Sequence, residues 1–300
     1  MISLQKYNQY AAAAHIGSFL LLIGLYFYFS NSQKYAQAET FRYRIPKNPP
    51  QGSTTCNSNF ALQEEQAGQC TTNYAYAPPQ KVMTYNVIYG CLIFFMITAF
   101  AHIFYATDGF NTGKYTTVLS EGWNPYRWYE YAASASIMTV LIANSLGVRD
   151  QGHLISLVFL NVALQACGYI VENAIIQNNI NYTTIKGTTL SGWLLFIGMW
   201  APVIYAFVSI YNDVKDLNLT DDNGDPVTIP RFVWFIVIGQ IINFALFGFI
   251  QLWQVNSALK GVIIPYENVE RKYILLSFAG KLALAGALSY GLLFRTKDCP

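Results

Sequence analysis

Long runs without a charged side chain constrain this sequence more than any other feature. There are seven, and only the last is interrupted, by one lysine. They cover residues 7–33, 82–107, 131–148, 151–171, 187–212, 232–259 and 273–294. About 20 mainly apolar residues are enough to cross the hydrocarbon core of a bilayer as a helix. Helices of soluble proteins carry a charged face, so these runs disfavour a soluble fold.

The runs predict an all-α membrane protein, a bundle of seven transmembrane helices. The helices are expected near 9–29, 85–106, 127–147, 153–175, 190–212, 231–254 and 272–294. Only 11% of the residues are charged, whereas ordinary soluble domains carry roughly 25%. The first run lacks a small-residue cleavage site, so we expect a first helix there rather than a removable signal. Residues 1–300 are expected to form a single domain.

Charge pattern and motif content argue against several functions. The net charge is +2 and no basic run or stripe is visible, so no nucleic-acid partner is expected. The sequence has no phosphate-binding loop, no cysteine and histidine spacing typical of zinc, and no nucleophile elbow. Neither enzymatic activity nor a bound metal is expected.

One long connection, residues 30–84, joins the first two predicted helices. Alternating side chains at 41–45 indicate a short strand or hairpin within it. Cys56 and Cys70 also lie in this loop. A disulfide between them would place the loop in an oxidising, extracellular space, and two free thiols are the alternative.

The positions of the basic residues favour one orientation. If the long loop is outside, the N-terminus is cytoplasmic and the C-terminus is extracellular. With the loop residues left out, seven Lys and Arg residues lie on the cytoplasmic side and five on the other. The positive-inside rule therefore favours this orientation for a multi-pass integral protein in contact with membrane lipid.

Lys281 is the charge that interrupts the last run. It lies nine residues into the predicted helix, at a depth of about 13.5 Å and thus near the bilayer midplane. A charged lysine there costs about 2.5–3.5 kcal/mol on insertion scales, so a function is expected for it. In apolar surroundings its neutral amine is a good nucleophile toward an aldehyde.

Glu130 is the acid best placed to neutralise this lysine, because it lies inside the third predicted helix. A buried cation requires a carboxylate close by. The residues alone leave three uses of such a pair open. Lys281 could carry a covalent cofactor, the pair could be a plain interhelical salt bridge, or it could be a transport site for a proton or ion.

Two segments resemble the heliorhodopsin family of retinal proteins. The third predicted helix, which begins Arg127-Trp-Tyr-Glu130-Tyr, resembles the third helix of that family, and Ser277-Phe-Ala-Gly-Lys281 resembles its seventh. The resemblance implies all-trans retinal bound to Lys281 as a Schiff base, with Glu130 as the sole counterion and Ser277 beside it. Many microbial rhodopsin pumps have an aspartate where Ser277 stands, so a pump is disfavoured. The resemblance also implies a homodimer.

The resemblance extends to a proton network. His15 and His102 match two histidines that join a polar cavity beside the Schiff base in the family. Glu172 matches a family position near the cytoplasmic end of helix four, where it would be either a gate or a solvated helix end. For each histidine, an ordinary core position is the alternative.

Further residues are expected around the chromophore. Ser134 and Met138 lie about one and two helical turns beyond Glu130 on the same face. The other expected pocket residues are Asn161, Gly168, Trp200, Trp234, Phe235 and Phe247. Packing against lipid or core is the alternative for each aromatic residue, and helix packing is the alternative for the glycine.

Together these expectations describe a light receptor. Light would isomerise retinal from all-trans to 13-cis, and a slow photocycle would be read by a signalling partner that the sequence does not identify. A light-gated proton or ion conductor and a retinal-free membrane receptor or regulator are the alternatives. A pump is further disfavoured because the third helix contains no second carboxylate after Glu130.

Overall fold

The seven expected long helices are present. The computed structural model describes residues 3–29, 37–44, 77–177, 182–217, 226, 228–262 and 264–291. The long helices are α1 (Leu4–Tyr28), α2 (Val87–Ala106), α5 (Pro125–Ser145), α6 (Gln151–Ile176), α7 (Tyr182–Asp216), α8 (Arg231–Leu259) and α9 (Tyr266–Ser289). Between α2 and α5 lie the short α3 (Asp108–Asn111) and α4 (Lys114–Ser120), and between α1 and α2 lie β1 (Gln37–Arg44) and β2 (Ala77–Asn86).

Six helices of the described chain are long and apolar enough to cross a membrane. The remaining long helix, α5, is 21 residues in length and more polar. It packs between α2 and α6, and Arg127, Glu130 and Ser134 are buried there. Because the bundle encloses α5, its polar side chains need not meet lipid. The chain is thus a multi-pass integral membrane protein with a seven-helix bundle.

Polar side chains fix several helix starts. Ser3, Asn86, Asn124 and Asp150 each accept a hydrogen bond from a backbone N–H in the first turn of α1, α2, α5 and α6. Such caps satisfy amide groups that have no partner within the helix. The start of α7 is at Tyr182, eight residues before the expected one, because hydropathy marks the membrane-embedded part and not the whole helix.

The long first connection contains an antiparallel β-hairpin. Gln37 pairs with Asn86, and the register continues with two irregularities. The short strand or hairpin expected near 41–45 is confirmed, since β1 overlaps these residues, although the position of β2 was not predicted. The backbone N–H of Phe41 donates to Arg149 O at 2.9 Å, which ties the hairpin to the turn between α5 and α6. Cys56 and Cys70 lie outside the described residues.

Candidate functional site

Lys281 and Glu130 form a buried ion pair between α9 and α5. Lys281 Nζ lies 3.2 Å from Glu130 Oε1 and donates a second hydrogen bond to Ser277 Oγ at 2.7 Å. Glu130 Oε1 also accepts from Ser134 Oγ at 2.7 Å and from Thr98 Oγ1. The structure therefore brings four expected residues together. Thr98 was missed, and its only sequence signal is that it lies one turn before a histidine on α2.

Helix geometry explains how this cluster assembles. Ser134 lies four residues after Glu130, and Ser277 lies four residues before Lys281, so each serine shares a helix face with its charged partner. The ring of Tyr131 lies 5.4 Å from Lys281 Nζ and adds a cation–π contact. One ammonium and one carboxylate balance each other, and removing either partner of such a buried pair costs about 3–5 kcal/mol.

A cavity with aromatic walls lies beside this ion pair and is bounded by five helices, α5 to α9. Its lining includes Lys281, Ser277, Met138 and Phe247, all of which were expected there. Further aromatic walls come from Trp128, Tyr131, Trp193, Phe196 and Phe244. Most of these walls are apolar, and Lys281 is the basic side chain among them.

Three expected pocket residues lie behind the cavity wall rather than in it. A Cβ atom added at Gly168 would meet the ring of Trp128, so this glycine makes room for a ring that lines the cavity. Trp200 is buried and packs edge to face against Phe244, with ring centroids 5.5 Å apart. Asn161 Nδ2 donates to Ser136 Oγ at 2.9 Å, which joins α6 to α5.

The structure places Trp234 and Phe235 away from this cavity, which corrects the expectation that they form its walls. Phe235 is 55% exposed on the outer surface of α8. Trp234 packs against Phe207 and Tyr211 of α7. Both lie 12 or 13 residues before Phe247, which is about 18–20 Å along a helix axis. Aromatic character indicated pocket residues but could not give their depth.

The two expected histidines lie together beside the ion pair. His15 and His102 are buried, and their rings stack with centroids 5.4 Å apart. His102 Nδ1 lies 2.8 Å from Asn8 Oδ1. Neither ring nitrogen of His15 has a hydrogen-bond partner among the described residues. Because His102 and Thr98 are one turn apart on α2, the histidine pair lies about one helical turn from Glu130.

Glu172 belongs to a second buried cluster, centred on Arg127. Arg127 donates to Glu172 Oε1 at 2.8 Å and to Glu270, and its guanidinium lies 3.9 Å from the ring centroid of Tyr273. Trp128 Nε1 donates to the other oxygen of Glu172 at 2.8 Å. Since Glu172 is only 4% exposed, the alternative of a solvated helix end is wrong. Sequence reasoning missed the roles of Arg127 and Glu270.

Tyr115 of α4 connects the histidine pair, through Asn8, with the Arg127 cluster. Asn8, which contacts His102, donates to the Tyr115 hydroxyl at 3.1 Å, and that hydroxyl lies 3.5 Å from Glu270 Oε1. Burial and the nearby Glu270 carboxylate raise the pKa of Tyr115 well above its usual value, so the hydroxyl stays protonated and can donate. Among the described residues, Glu172 is therefore linked to the histidines through Arg127, Glu270, Tyr115 and Asn8, and has no direct contact with them.

Comparison with known proteins gives one match over most of the chain and two partial matches. The heliorhodopsin family model matches residues 53–293. Part of the chain is similar to ADP,ATP carrier protein 3 of Rickettsia conorii (29% identity over 164 residues) and of Rickettsia felis (31% over 166 residues). Each alignment covers 52% of this chain but 31% of the carrier, so the chain spans less than a third of those proteins.

The family match agrees with the arrangement found in the bundle. It covers the ion pair, its serines, the cavity and the Arg127 cluster, and it includes the two segments from which the resemblance was inferred. Members of this family are retinal-binding, rhodopsin-like light receptors of the membrane and not enzymes of an ordinary kind. The chain belongs to the heliorhodopsin family.

Proposed function

We propose that this protein is a light sensor in which Lys281 binds all-trans retinal as a Schiff base and Glu130 is the counterion. The observation that carries the proposal is the 3.2 Å contact between Lys281 Nζ and Glu130 Oε1 beside an aromatic cavity. When bound, retinal supplies visible absorption and a double bond that light can isomerise. The cavity walls fit such a group because they are mainly apolar and carry one reactive amine.

The residues around Lys281 have separate tasks in this proposal. Glu130 balances the positive charge at the Lys281 nitrogen, and Ser277 and Ser134 orient the two groups through their hydroxyls. The aromatic walls keep water from the linkage and so protect it from hydrolysis. A hydrophobic enclosure also strengthens the electrostatic contact between the two charges.

The histidine pair is the proposed acceptor of the proton that leaves the Lys281 nitrogen after illumination. His15 supports this role because both of its ring nitrogens lack a partner in the described part of the chain. Asn8 holds the His102 ring through Nδ1, which leaves the other nitrogen of His102 for exchange with its neighbours. A proton held there would change the charge next to Asn8 and Tyr115 for as long as the dark recovery lasts.

Nucleotide transport finds no support in the cavity, despite the partial likeness to ADP,ATP carriers. A nucleotide polyphosphate is bound by several cationic side chains. The lining contains one basic residue, Lys281, and Glu130 already neutralises it. The site therefore favours an uncharged polyene aldehyde over a polyanion.

The proposed attachment is tested by adding all-trans retinal to the full-length protein and recording the visible spectrum. We expect a visible band in the wild type and none in Lys281→Ala or Lys281→Arg. The arginine variant is the matched control, because it keeps a cation opposite Glu130 but has no amine that condenses with an aldehyde. A colourless wild type, or a visible band in either variant, would exclude retinal on Lys281.

We also propose that the N-terminus is cytoplasmic and that the β-hairpin is extracellular, with a homodimer as the assembled form. A membrane-impermeant thiol reagent tests the orientation on intact cells. On intact cells, we expect Lys81→Cys to be labelled more strongly than the native protein, whose own cysteines give the background. Labelling of Ser3→Cys should stay at that background until the cells are opened. The reverse pattern would invert the topology.

A further inference from the structure

Gln240 of α8 makes a contact that the proposed function does not use. Its side chain is 1% exposed, and Nε2 donates to the carbonyl oxygen of Gly280 at 3.2 Å. Gly280 is the residue directly before Lys281 on α9. The peptide unit held by Gln240 is therefore the one that joins Gly280 to Lys281.

The choice of an amide at this position is not explained by stability. Gln240 Oε1 is buried and has no hydrogen-bond partner among the described residues. A buried polar atom without a partner costs free energy, and an apolar side chain of similar length would avoid that cost. Such an unsatisfied group in a well-packed bundle calls for another explanation.

Asn243, one turn further along α8, packs against the same point of α9. A Cβ atom added at Gly280 would collide with the Asn243 amide, so a glycine allows α8 to approach α9 at this point. Gln240 and Asn243 are three residues apart and share a helix face. Glycine also leaves the α9 backbone easier to deform there. Directly before Lys281, this backbone accepts a hydrogen bond from Gln240 and packs against Asn243.

We propose that Gln240 is a positioning residue for Lys281: it fixes the Gly280 carbonyl, and with it the helix turn that carries the lysine, against α8. The inference rests on the proposed function, in which Lys281 holds retinal. Displacement of the Lys281 side chain would then strain the Gly280 peptide, and Gln240 and Asn243 would pass that strain to α8.

The test uses amide hydrogen exchange of residues 278–283 in the retinal-free protein and dark bleaching by hydroxylamine in the retinal-bound protein. Gln240→Met keeps the size of the side chain but removes the donor. We expect both rates to rise about twofold to tenfold, as for the loss of one hydrogen bond, with little change in the midpoint of thermal unfolding.

Gln251→Met is the matched control. Gln251 is also an α8 amide that donates to a glycine carbonyl, Gly168 O at 3.1 Å, but that glycine is on α6. Exchange at 278–283 should remain as in the wild type. Unchanged exchange in Gln240→Met, or an equal rise in Gln251→Met, would overturn the proposal.

A second variant covers the case in which Gln240→Met does not fold. Gly280→Ala introduces a methyl group that pushes Asn243 and α8 away, so it should raise amide exchange at 278–283. The double variant Gly280→Ala/Asn243→Ala removes the colliding amide and should reverse part of that rise. If the double variant does not reverse the rise in exchange, the role of α8 is contradicted. If the wild type forms no pigment, the proposed function fails, whereas the exchange data on the retinal-free protein still decide the role of Gln240.

Discussion

Two buried carboxylates of similar exposure have different partners. Glu130 accepts from Lys281 and two hydroxyl groups, whereas Glu172 accepts from Arg127, Trp128 and Tyr266. Arginine stays charged and forms no Schiff base, so the Arg127 cluster is suited to holding helices together. Only the lysine pair combines a charge with a reactive amine, and the chemistry of the two sites therefore differs although each contains a buried cation.

Glu130→Gln should remove most of the visible band at neutral pH. The buried positive charge at the Lys281 nitrogen would lose its only carboxylate within hydrogen-bond distance in the described structure, and the nitrogen would give up its proton instead. Glu172→Gln should keep the visible band, because Arg127 still pairs with Glu270. Absorption spectra of the two retinal-bound variants check this, and a full visible band in Glu130→Gln would contradict the assignment of the counterion.

Charge and family resemblance each revealed part of the site. Lys281 and Glu130 were predictable because a charge inside a membrane helix is costly and needs a partner. Ser277 and the two histidines came from the resemblance, and Ser134 came from its spacing to Glu130. Thr98, Asn8 and Tyr115 were not predicted, because a neutral polar residue carries no such cost and their partners lie on other elements. Glu270 lies close to the end of α9, where a sequence reading cannot tell a buried carboxylate from a solvated one.

At the scale of elements, α4 is held to the bundle by a tyrosine that reaches the buried network. Tyr115 is 3% exposed, and its ring stacks on that of Tyr105 with centroids 4.6 Å apart. Tyr115 accepts from Asn8 and lies near Glu270, whereas the equally buried Tyr105 hydroxyl has no hydrogen-bond partner among the described residues. The stacked pair therefore offers a matched comparison.

Tyr115→Phe should destabilise the protein by about 1–3 kcal/mol, because it leaves Asn8 and Glu270 each one partner short in a buried site. Tyr105→Phe removes a hydroxyl that has no partner, so it should be neutral or slightly stabilising. Thermal unfolding of both variants in the same detergent gives the comparison. An equal loss in the two would mean that ring packing, and not the hydrogen bonds of Tyr115, holds α4.

Gly168 lets α6 approach α5 closely. Gly168→Ala should destabilise the protein by about 1–3 kcal/mol, as expected for overpacking, because the added methyl group meets the ring of Trp128. Gly198→Ala is the control: nothing lies within 4 Å of a Cβ atom added there, so alanine should be neutral or stabilising through its helix propensity. Equal unfolding midpoints for both variants would remove the packing role assigned to Gly168.

The helices were predictable as elements because their apolar runs match the thickness of a bilayer. The ends of the helices were less predictable. Polar caps at Asn86 and Asp150 fix two starts, but α7 begins before its apolar run and includes Lys186. A hairpin was indicated near 41–45, but the position of β2 was not, because its register depends on pairing with β1, about 40 residues earlier in the chain. Pairing over such a distance leaves no local signal of its own.

On the scale of the whole molecule, the buried charges of the described chain lie toward one end of the bundle. Arg127 and Glu130 are near the start of α5, Glu172 is near the end of α6, and Glu270 is near the start of α9. Because α5 and α9 run opposite to α6, these positions coincide at one membrane face. Lys281 lies 15 residues after the start of α9, the farthest of the five from that end of its helix.

The other half of the bundle is closed by a large apolar cluster. Phe94 precedes Thr98 on α2, Leu141 follows Ser134 on α5, and Leu284 follows Lys281 on α9; all three apolar residues are buried and belong to one cluster. Moving an ion into such a layer without polar partners is very costly. A proton or ion that reaches Glu130 from the charged end therefore meets a barrier beyond it.

This closed half predicts no steady light-driven current, which separates a sensor from a conductor. Voltage-clamped cells containing the retinal-bound protein should show at most a brief charge displacement at the onset of light, when the proton moves from the Lys281 nitrogen toward His15 and His102. Lys281→Ala should show neither the brief charge displacement nor a steady current, and this variant controls for heating and for native channels. A sustained current whose sign follows the applied voltage would mean that the cluster around Leu284 opens in the light, and a conductor would then replace the sensor as the function.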